Sequence, residues 1–224
     1  MNVDLSRTPM NVTFKSCGNL TYNEYLDQLV DQGKVSLRGL KPDAKVFDEM
    51  ILDVNTEYFE QNGGYEYACR FYEEAYRFAK QLYGKENIVS AVMHADELNT
   101  AMTEKYGKPV YHYHLHVMAL PVVDKEIRWS KRCQDPEKIG TVKEVIHQVS
   151  HSKKWKSEKA LDKNGQPVLN SKGKPVYRTS YSILQDQFFD HMATAGFADI
   201  QRGERGSTAE HLTVTEFKVA QEQK

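Results

Sequence analysis

Residues 87–94 read NIVSAVMH and residues 111–122 read YHYHLHVMALPV. The second stretch alternates: His112, His114 and His116 are separated by Tyr113 and Leu115, and Val117 follows. Successive side chains of a strand point to opposite faces, so the spacing predicts a strand with three imidazoles on one face and apolar groups on the other. The first stretch predicts a partner strand ending at His94. Between the two lies a polar, mostly helix-compatible connection containing Glu97, Glu104 and Gly107. Antiparallel pairing places His94 near the start of the second strand, beside the histidine triplet, with the Glu97 carboxylate just past the strand end.

Other elements follow outward from this pair. Thr21-Tyr-Asn-Glu24 has the form of a capping box, and Gly33 marks the stop of the short helix it opens. Lys45 to Val54 (KVFDEMILDV) predicts a strand. After Gly63-Gly64, the residues Ala68, Phe71, Tyr72, Ala75, Phe78, Ala79 and Leu82 recur at helical spacing up to Gly84. Thr141-Val-Lys-Glu144 predicts a helix running to about His151 by the same capping logic. Lys153 to Arg178 is polar, and Asn164-Gly165 and Lys172-Gly173-Lys174 mark turns, so a hairpin or loop is expected. Ser182 to Ala195 predicts a helix stopped by Gly196, a short segment and a Gly-rich turn at 202–206 follow, and Thr213-Val-Thr-Glu216 is placed to cap a last helix. With no repeat and no linker, one α+β domain spanning 1–224, with a basic insertion at about 125–178, is the expected organisation.

Composition narrows the function classes. Lys plus Arg total 30 and Asp plus Glu total 31 of 224 residues, which excludes a globally basic nucleic-acid coat. From Lys125 to Arg178, however, 14 basic residues face 6 acidic ones, a local charge of +8. Such a run is most simply a solvated face, but Trp155 within Lys153-Lys154-Trp155-Lys156 favours a polyanion, because a flat ring stacks on an unpaired base. No apolar run is long enough for a membrane span and the first residues form no signal-peptide core, so a cytoplasmic location is expected. Cys17, Cys69 and Cys133 have no CxxC spacing, which argues against a disulfide framework or a cysteine zinc site.

A single histidine on a strand is usually a satisfied core residue. Three in alternation, with a fourth in His94-Ala-Asp-Glu97 on the neighbouring strand, would each need a buried partner. A divalent ion held by His94, His114 and His116 supplies one, and leaves positions open for substrate oxygen. His112 is the weakest member and is expected outside the first ring of ligands, or at the rim. GxSxG, P-loop, GxGxxG and HExxH motifs are absent, so the residues alone support a metal-dependent hydrolase of unspecified substrate.

The segment His94-Ala-Asp-Glu97, followed by His114-Leu-His116 and Pro121, resembles the H-x-D-E-x-x-P-H-x-H motif of the Mob/Pre plasmid mobilisation relaxases, the plasmid recombination enzymes. Arg202-Gly-Glu-Arg-Gly-Ser-Thr-Ala-Glu-His-Leu212 is similar to the family's R-G-x-x-G-S-x-x-x-H-L stretch. Asp4-Leu-Ser-Arg-Thr-Pro-Met-Asn11 is similar to its D-x-S-R-T-x-x-N. The resemblance implies an HUH endonuclease-type fold, an antiparallel sheet flanked by helices. It implies cleavage of one strand of single-stranded or hairpin DNA at an origin of transfer through a covalent protein–DNA intermediate. By position, His94, His114 and His116 hold the metal (Mn²⁺ or Mg²⁺ first, Zn²⁺ second) and Glu97 acts beside it. Arg7, Arg202 and Arg205, with Lys153, Lys154, Trp155 and Lys156, are the expected DNA contacts. Two departures stand out. Sixteen residues, Leu98 to Tyr113, separate the two halves of the histidine motif. The family's nucleophile is expected to be a histidine upstream of the D-x-S-R-T segment, whereas the first histidine here is His94, so the chain is expected to lack the family's extreme N-terminal segment. A cleavage-incompetent DNA-binding module that keeps the metal site is the alternative.

Overall fold

The computed structural model describes residues 2–203, and in it the two histidine strands form the middle of an antiparallel sheet. Its strands are β1 (Val12–Lys15), β2 (Asp48–Asp53), β3 (Ile88–Leu98) and β4 (Tyr111–Ala119), in the order β1-β3-β4-β2. The register sets His94 opposite His114 and Val92 opposite His116 on the β3–β4 pair. On the other side of β4, Met50 faces Val117 and Leu52 faces Leu115. Alternation then separates the two faces. Ala91, Met93, Tyr113, Leu115, Val117, Met50 and Leu52 are buried on one, and the histidines lie on the other.

The apolar face is covered by α3 (Tyr65–Tyr83), which buries Ala68, Phe71, Tyr72, Ala75, Phe78 and Ala79, the helical repeat legible in the sequence. Alanines at three of those positions let the helix lie close on the sheet, while Phe71 and Tyr72 fill the gaps. Each buried aromatic contributes ~1.5–3 kcal/mol of transfer free energy. The Tyr72 hydroxyl, fully buried, donates to the Tyr113 carbonyl at 2.7 Å. A shorter helix, α2 (Thr56–Asn62), precedes α3, and the chain reverses between them at Gly63 (φ 111°) and Gly64 (φ 65°). Positive φ at two successive residues is open to glycine and strained for any side chain. Helix α6 (Ser180–Thr194) packs on α3 through Phe188 and Met192. A second apolar cluster joins Leu26 and Leu29 of α1 (Tyr22–Asp31) to Val35, Val89, Leu120 and Val149. The predicted capping box of α1 forms: Thr21 accepts from the Glu24 amide and Glu24 from the Thr21 amide.

Several sequence expectations are corrected. Residues 141–151 form no single helix. Val142–Val149 is a strand, β6, paired antiparallel with β5 (Val122–Arg128) from Val122↔Val149 to Arg128↔Val142. The β-branched residues Val142, Val145, Ile146 and Val149 favour that pairing, and Thr141 donates its hydroxyl to the Lys138 carbonyl instead of capping a helix. Only His151–Lys154, α5, is helical there. The strand expected at 45–54 is confined to Asp48–Asp53, and the strand expected to end at His94 runs on to Leu98 through an irregularity between His94 and Glu97. Strands β1 and β5 and helix α2 were not foreseen. The connection after β3 does contain a helix, α4 (Thr100–Tyr106). Residues 158–178 form the expected turn-rich hairpin, closed by β7 (Glu158–Lys159) and β8 (Tyr177–Arg178). The cap proposed at Thr213 lies outside the described residues. Among the described residues, no helix is long and apolar enough to cross a membrane.

Candidate metal centre

His94 from β3 and His114 and His116 from β4 converge on the sheet face turned away from α3. One ligand atom from each lies within 4.8 Å of the others. The His94 and His114 rings stack with centroids 5.1 Å apart, and His116 stands edge-on to both. Nitrogens bonded tetrahedrally at ~2.1 Å to one ion lie ~3.4 Å apart, so closing the cluster requires at most about 1.4 Å of approach per pair. The donor set fits. Three imidazoles suit a borderline divalent ion, and Nδ1 of His114 is buried with no hydrogen-bond partner among the described residues. Burial, reinforced by the surrounding His112, His116 and His94 rings, pushes the His114 pKa down to about 4. The ring therefore keeps its lone pair well into the acid range. Glu97 brings a carboxylate oxygen to 3.8 Å from His114 Nε2.

The irregularity between His94 and Glu97 explains why His94-Ala-Asp-Glu97 and the Asp4–Asn11 segment occur together. It turns Asp96 inward, where its carboxylate accepts from Thr8 Oγ1 at 2.9 Å and Asn11 Nδ2 at 2.8 Å, while Asn11 Oδ1 accepts from the Ala95 amide at 2.7 Å. Burial raises the Asp96 pKa, but the Asn11 and Thr8 hydrogen bonds outweigh it and the net shift is downward. The backbone is stitched as well: the Asp4 amide donates to the Asp96 carbonyl, and the Leu98 amide to Asn2. One motif thus holds the other in the shape that aims His94 and Glu97 at the same place.

His112 shares the face of the cluster but stands outside it. Its Nδ1 is 3.1 Å from Thr56 Oγ1 and its Nε2 is 3.5 Å from Asp53. The hydrogen bond to Asp53 is the main cause of a raised pKa. The two rings respond oppositely to acid. The lowered His114 costs stability as pH falls from about 6.5 to about 4, because the unfolded chain takes the proton first. The raised His112 contributes stability below about 6.5 and loses it as pH climbs through its folded value. A proton NMR titration of metal-free protein should find His112 charged and His114 neutral at pH 5; a His114 midpoint at or above 6.5 would contradict this geometry.

Several of the residues expected to grip DNA are turned inward. Trp155 donates its indole N–H to the buried carboxylate of Asp48, which also meets His151 Nδ1, and the indole packs edge-on against Tyr83. Lys154 donates to the Leu82 carbonyl at 2.6 Å, and Lys153 to Gln148 at 3.0 Å. Arg7 donates to the Ala95 carbonyl and stacks 3.7 Å over Tyr111, and Arg202 binds Asp186. Lys156 is exposed, and Arg205 lies outside the described residues. Trp155→Ala is therefore expected to cost about 2–3 kcal/mol of stability by leaving Asp48 short of a donor. It should leave the ratio of single-stranded to duplex DNA affinity unchanged; a selective loss of single-stranded binding would restore the stacking role. Asp53, Thr56, Thr8 and Asn11 support the site without having been read as site residues. Short hydrogen-bonding side chains in unrecognised elements carry no signal of their own.

The model of the plasmid recombination enzyme family (Mob/Pre) matches residues 1–178. Plasmid recombination enzyme type 2 of Staphylococcus aureus (strain Mu50) is 26% identical over 217 residues, covering 97% of this chain and 38% of the relative. A plasmid recombination enzyme of Bacillus sp is similar to the same degree, so the chain spans well under half the length of these relatives. Among solved structures, the MobM relaxase domain bound to plasmid pMV158 oriT DNA, Mn-bound at pH 5.5, aligns with a TM-score of 0.59 at 22% identity, over 98% of this chain and 84% of that one. The same domain at pH 4.6, also Mn-bound, gives 0.58 at 21%, over 97% and 85%. The fold is therefore that of the HUH relaxase domains. With that fold, a matched family model and the histidine strand pair at its centre, this chain belongs to the plasmid recombination enzyme (Mob/Pre) family.

Proposed function

We propose that the chain is a metal-dependent relaxase domain that binds single-stranded or hairpin DNA at a plasmid origin of transfer and nicks one strand, leaving a covalent protein–DNA link. The observation that carries this reading is the three-imidazole cluster on the sheet face turned away from α3, in a chain of this family and fold. His94, His114 and His116 would hold the ion, and the nitrogen donor set favours Mn²⁺ or Zn²⁺ over Mg²⁺. A bound divalent ion polarises the scissile phosphate and offsets the charge that builds on its oxygens. The residues do the rest of the placement. The Asp96 network fixes the backbone under His94 and Glu97, and the Glu97 carboxylate, half exposed beside His114, is set to orient the attacking group. His112, engaged by Asp53 and Thr56, is held outside the ring of ligands and does not compete for the ion. A side chain attacking in line stores the phosphodiester energy for later rejoining.

The test is incubation of the chain with Mn²⁺ and supercoiled plasmid carrying an origin of this family, followed by a denaturing gel for a strand linked to protein. Adduct with wild type and none with His114→Ala supports the reading. Adduct in both would disconnect cleavage from the cluster. Metal-dependent oligonucleotide binding with no adduct would leave the cleavage-incompetent binding module.

A further inference from the structure

The three cluster histidines differ in what faces their Nδ1 nitrogens. His114 has a buried Nδ1 without a partner among the described residues, and His94 Nδ1 is 3.8 Å from an Asp96 oxygen, beyond hydrogen-bond range. His116 Nδ1 is 2.9 Å from Glu49 Oε1. Glu49 comes from β2, the strand at the end of the sheet, and its neighbour Ile51 is registered opposite His116. Along β2, Asp48, Met50 and Leu52 are buried while Glu49, Ile51 and Asp53 are exposed, so Glu49 reaches His116 across the histidine face. The pair is half open to solvent, with side-chain exposures of 34% and 52%, and an exposed ion pair contributes only ~0–1 kcal/mol to folding. Stability does not account for it.

A free imidazole places its proton on either nitrogen and rotates freely. A carboxylate at Nδ1 keeps the proton there, fixes the ring plane, leaves the Nε2 lone pair for the ion and makes that nitrogen more basic. We propose that Glu49 is a positioning residue of the metal centre: it presets the tautomer and orientation of His116 so that Nε2 is the ligand. The proposal rests on the three-histidine reading given above and deepens it by assigning β2, which supplies no ligand, a share of the metal affinity.

Two measurements on the full chain test it. In metal-free protein near pH 8, long-range proton–nitrogen NMR should show His116 as the Nδ1–H tautomer, and Glu49→Ala should shift it toward Nε2–H. Titration with Mn²⁺ followed by electron paramagnetic resonance should show affinity about 10–100-fold weaker in Glu49→Ala. Glu49→Gln, which can still accept from Nδ1–H but carries no charge, should fall between. In a His116→Ala background, adding Glu49→Ala should change the remaining affinity less than about twofold, whereas simple attraction of the cation by a carboxylate would persist without the ring. Wild-type protein with an Nε2–H His116, or equal Mn²⁺ affinity in wild type and Glu49→Ala, would overturn the role of Glu49. Wild-type protein that takes up no Mn²⁺ would overturn the three-histidine reading itself, and the role of Glu49 with it.

Discussion

His114→Ala is expected to abolish stoichiometric Mn²⁺ uptake, the largest effect of any single change at the site. His114 is the buried member of the cluster, its ring lies within 5.1 Å of both other ligand rings, and burial holds it neutral down to a pH of about 4. Removing it leaves two ligands on opposite strands and a gap where the third stood. Two imidazoles and water hold an ion far less tightly than three. Titration calorimetry with Mn²⁺ reads the outcome directly: one site per chain in wild type, and no saturable heat in the variant at micromolar metal. His112→Ala provides the contrast, since His112 lies outside the cluster. Equal uptake by wild type and His114→Ala would show that the ion sits elsewhere. The variant should remain folded, because a neutral imidazole with an unpartnered buried nitrogen contributes little net stability.

Phe71→Ala is expected to cost about 3–5 kcal/mol, the range for emptying a large aromatic site in a core. Phe71 is completely buried on α3, and its ring packs edge to face against Tyr58, Phe59, Tyr72, Phe188 and Phe197. These neighbours come from α2, α3, α6 and the segment after α6, so one truncation loosens four contacts between elements. The loss is a large part of the ~5–15 kcal/mol that holds a typical domain together. Urea denaturation followed by circular dichroism should show a much lower midpoint with little change in slope. A loss below about 1 kcal/mol would mean that the aromatic cluster repacks around the gap. Because α3 backs the sheet that carries the histidines, Mn²⁺ affinity should fall too, though far less than in His114→Ala.

The parts of the fold legible in the sequence are those where one element carries its own periodic signal. Strand β4 alternates because one face meets α3 and the other carries the imidazoles, and α3 repeats at three and four because it covers that sheet. The parts that were not legible depend on partners far along the chain. Val142–Val149 opens with a convincing helix cap, but its β-branched residues find β5 some twenty positions earlier, and that pairing wins. β1 is four residues long, too short to show a period. At the site, parity alone places four histidines on one face and cannot separate His112 from the ligands. The separation comes from Asp53 and Thr56, which reach His112 from more than fifty positions upstream. In the same way, Lys154 and Trp155 show their charge and ring in the sequence, while Asp48 and Leu82, which turn them inward, are visible only once the chain is folded.

The pairing of Asn2–Asp4 alongside Asp96–Leu98 has a practical consequence for anyone preparing the protein. The Leu98 amide binds the Asn2 carbonyl and Val3 bridges Glu97, so any peptide fused ahead of Asn2 emerges within reach of Glu97 and the imidazole cluster. A polyhistidine purification tag at that end would bring a high local concentration of competing ligands to the metal centre. It could sequester the ion or supply a foreign imidazole to it, and would distort every affinity measured for His114 and Glu49 variants. A tag at that end should be removed by protease before any metal titration.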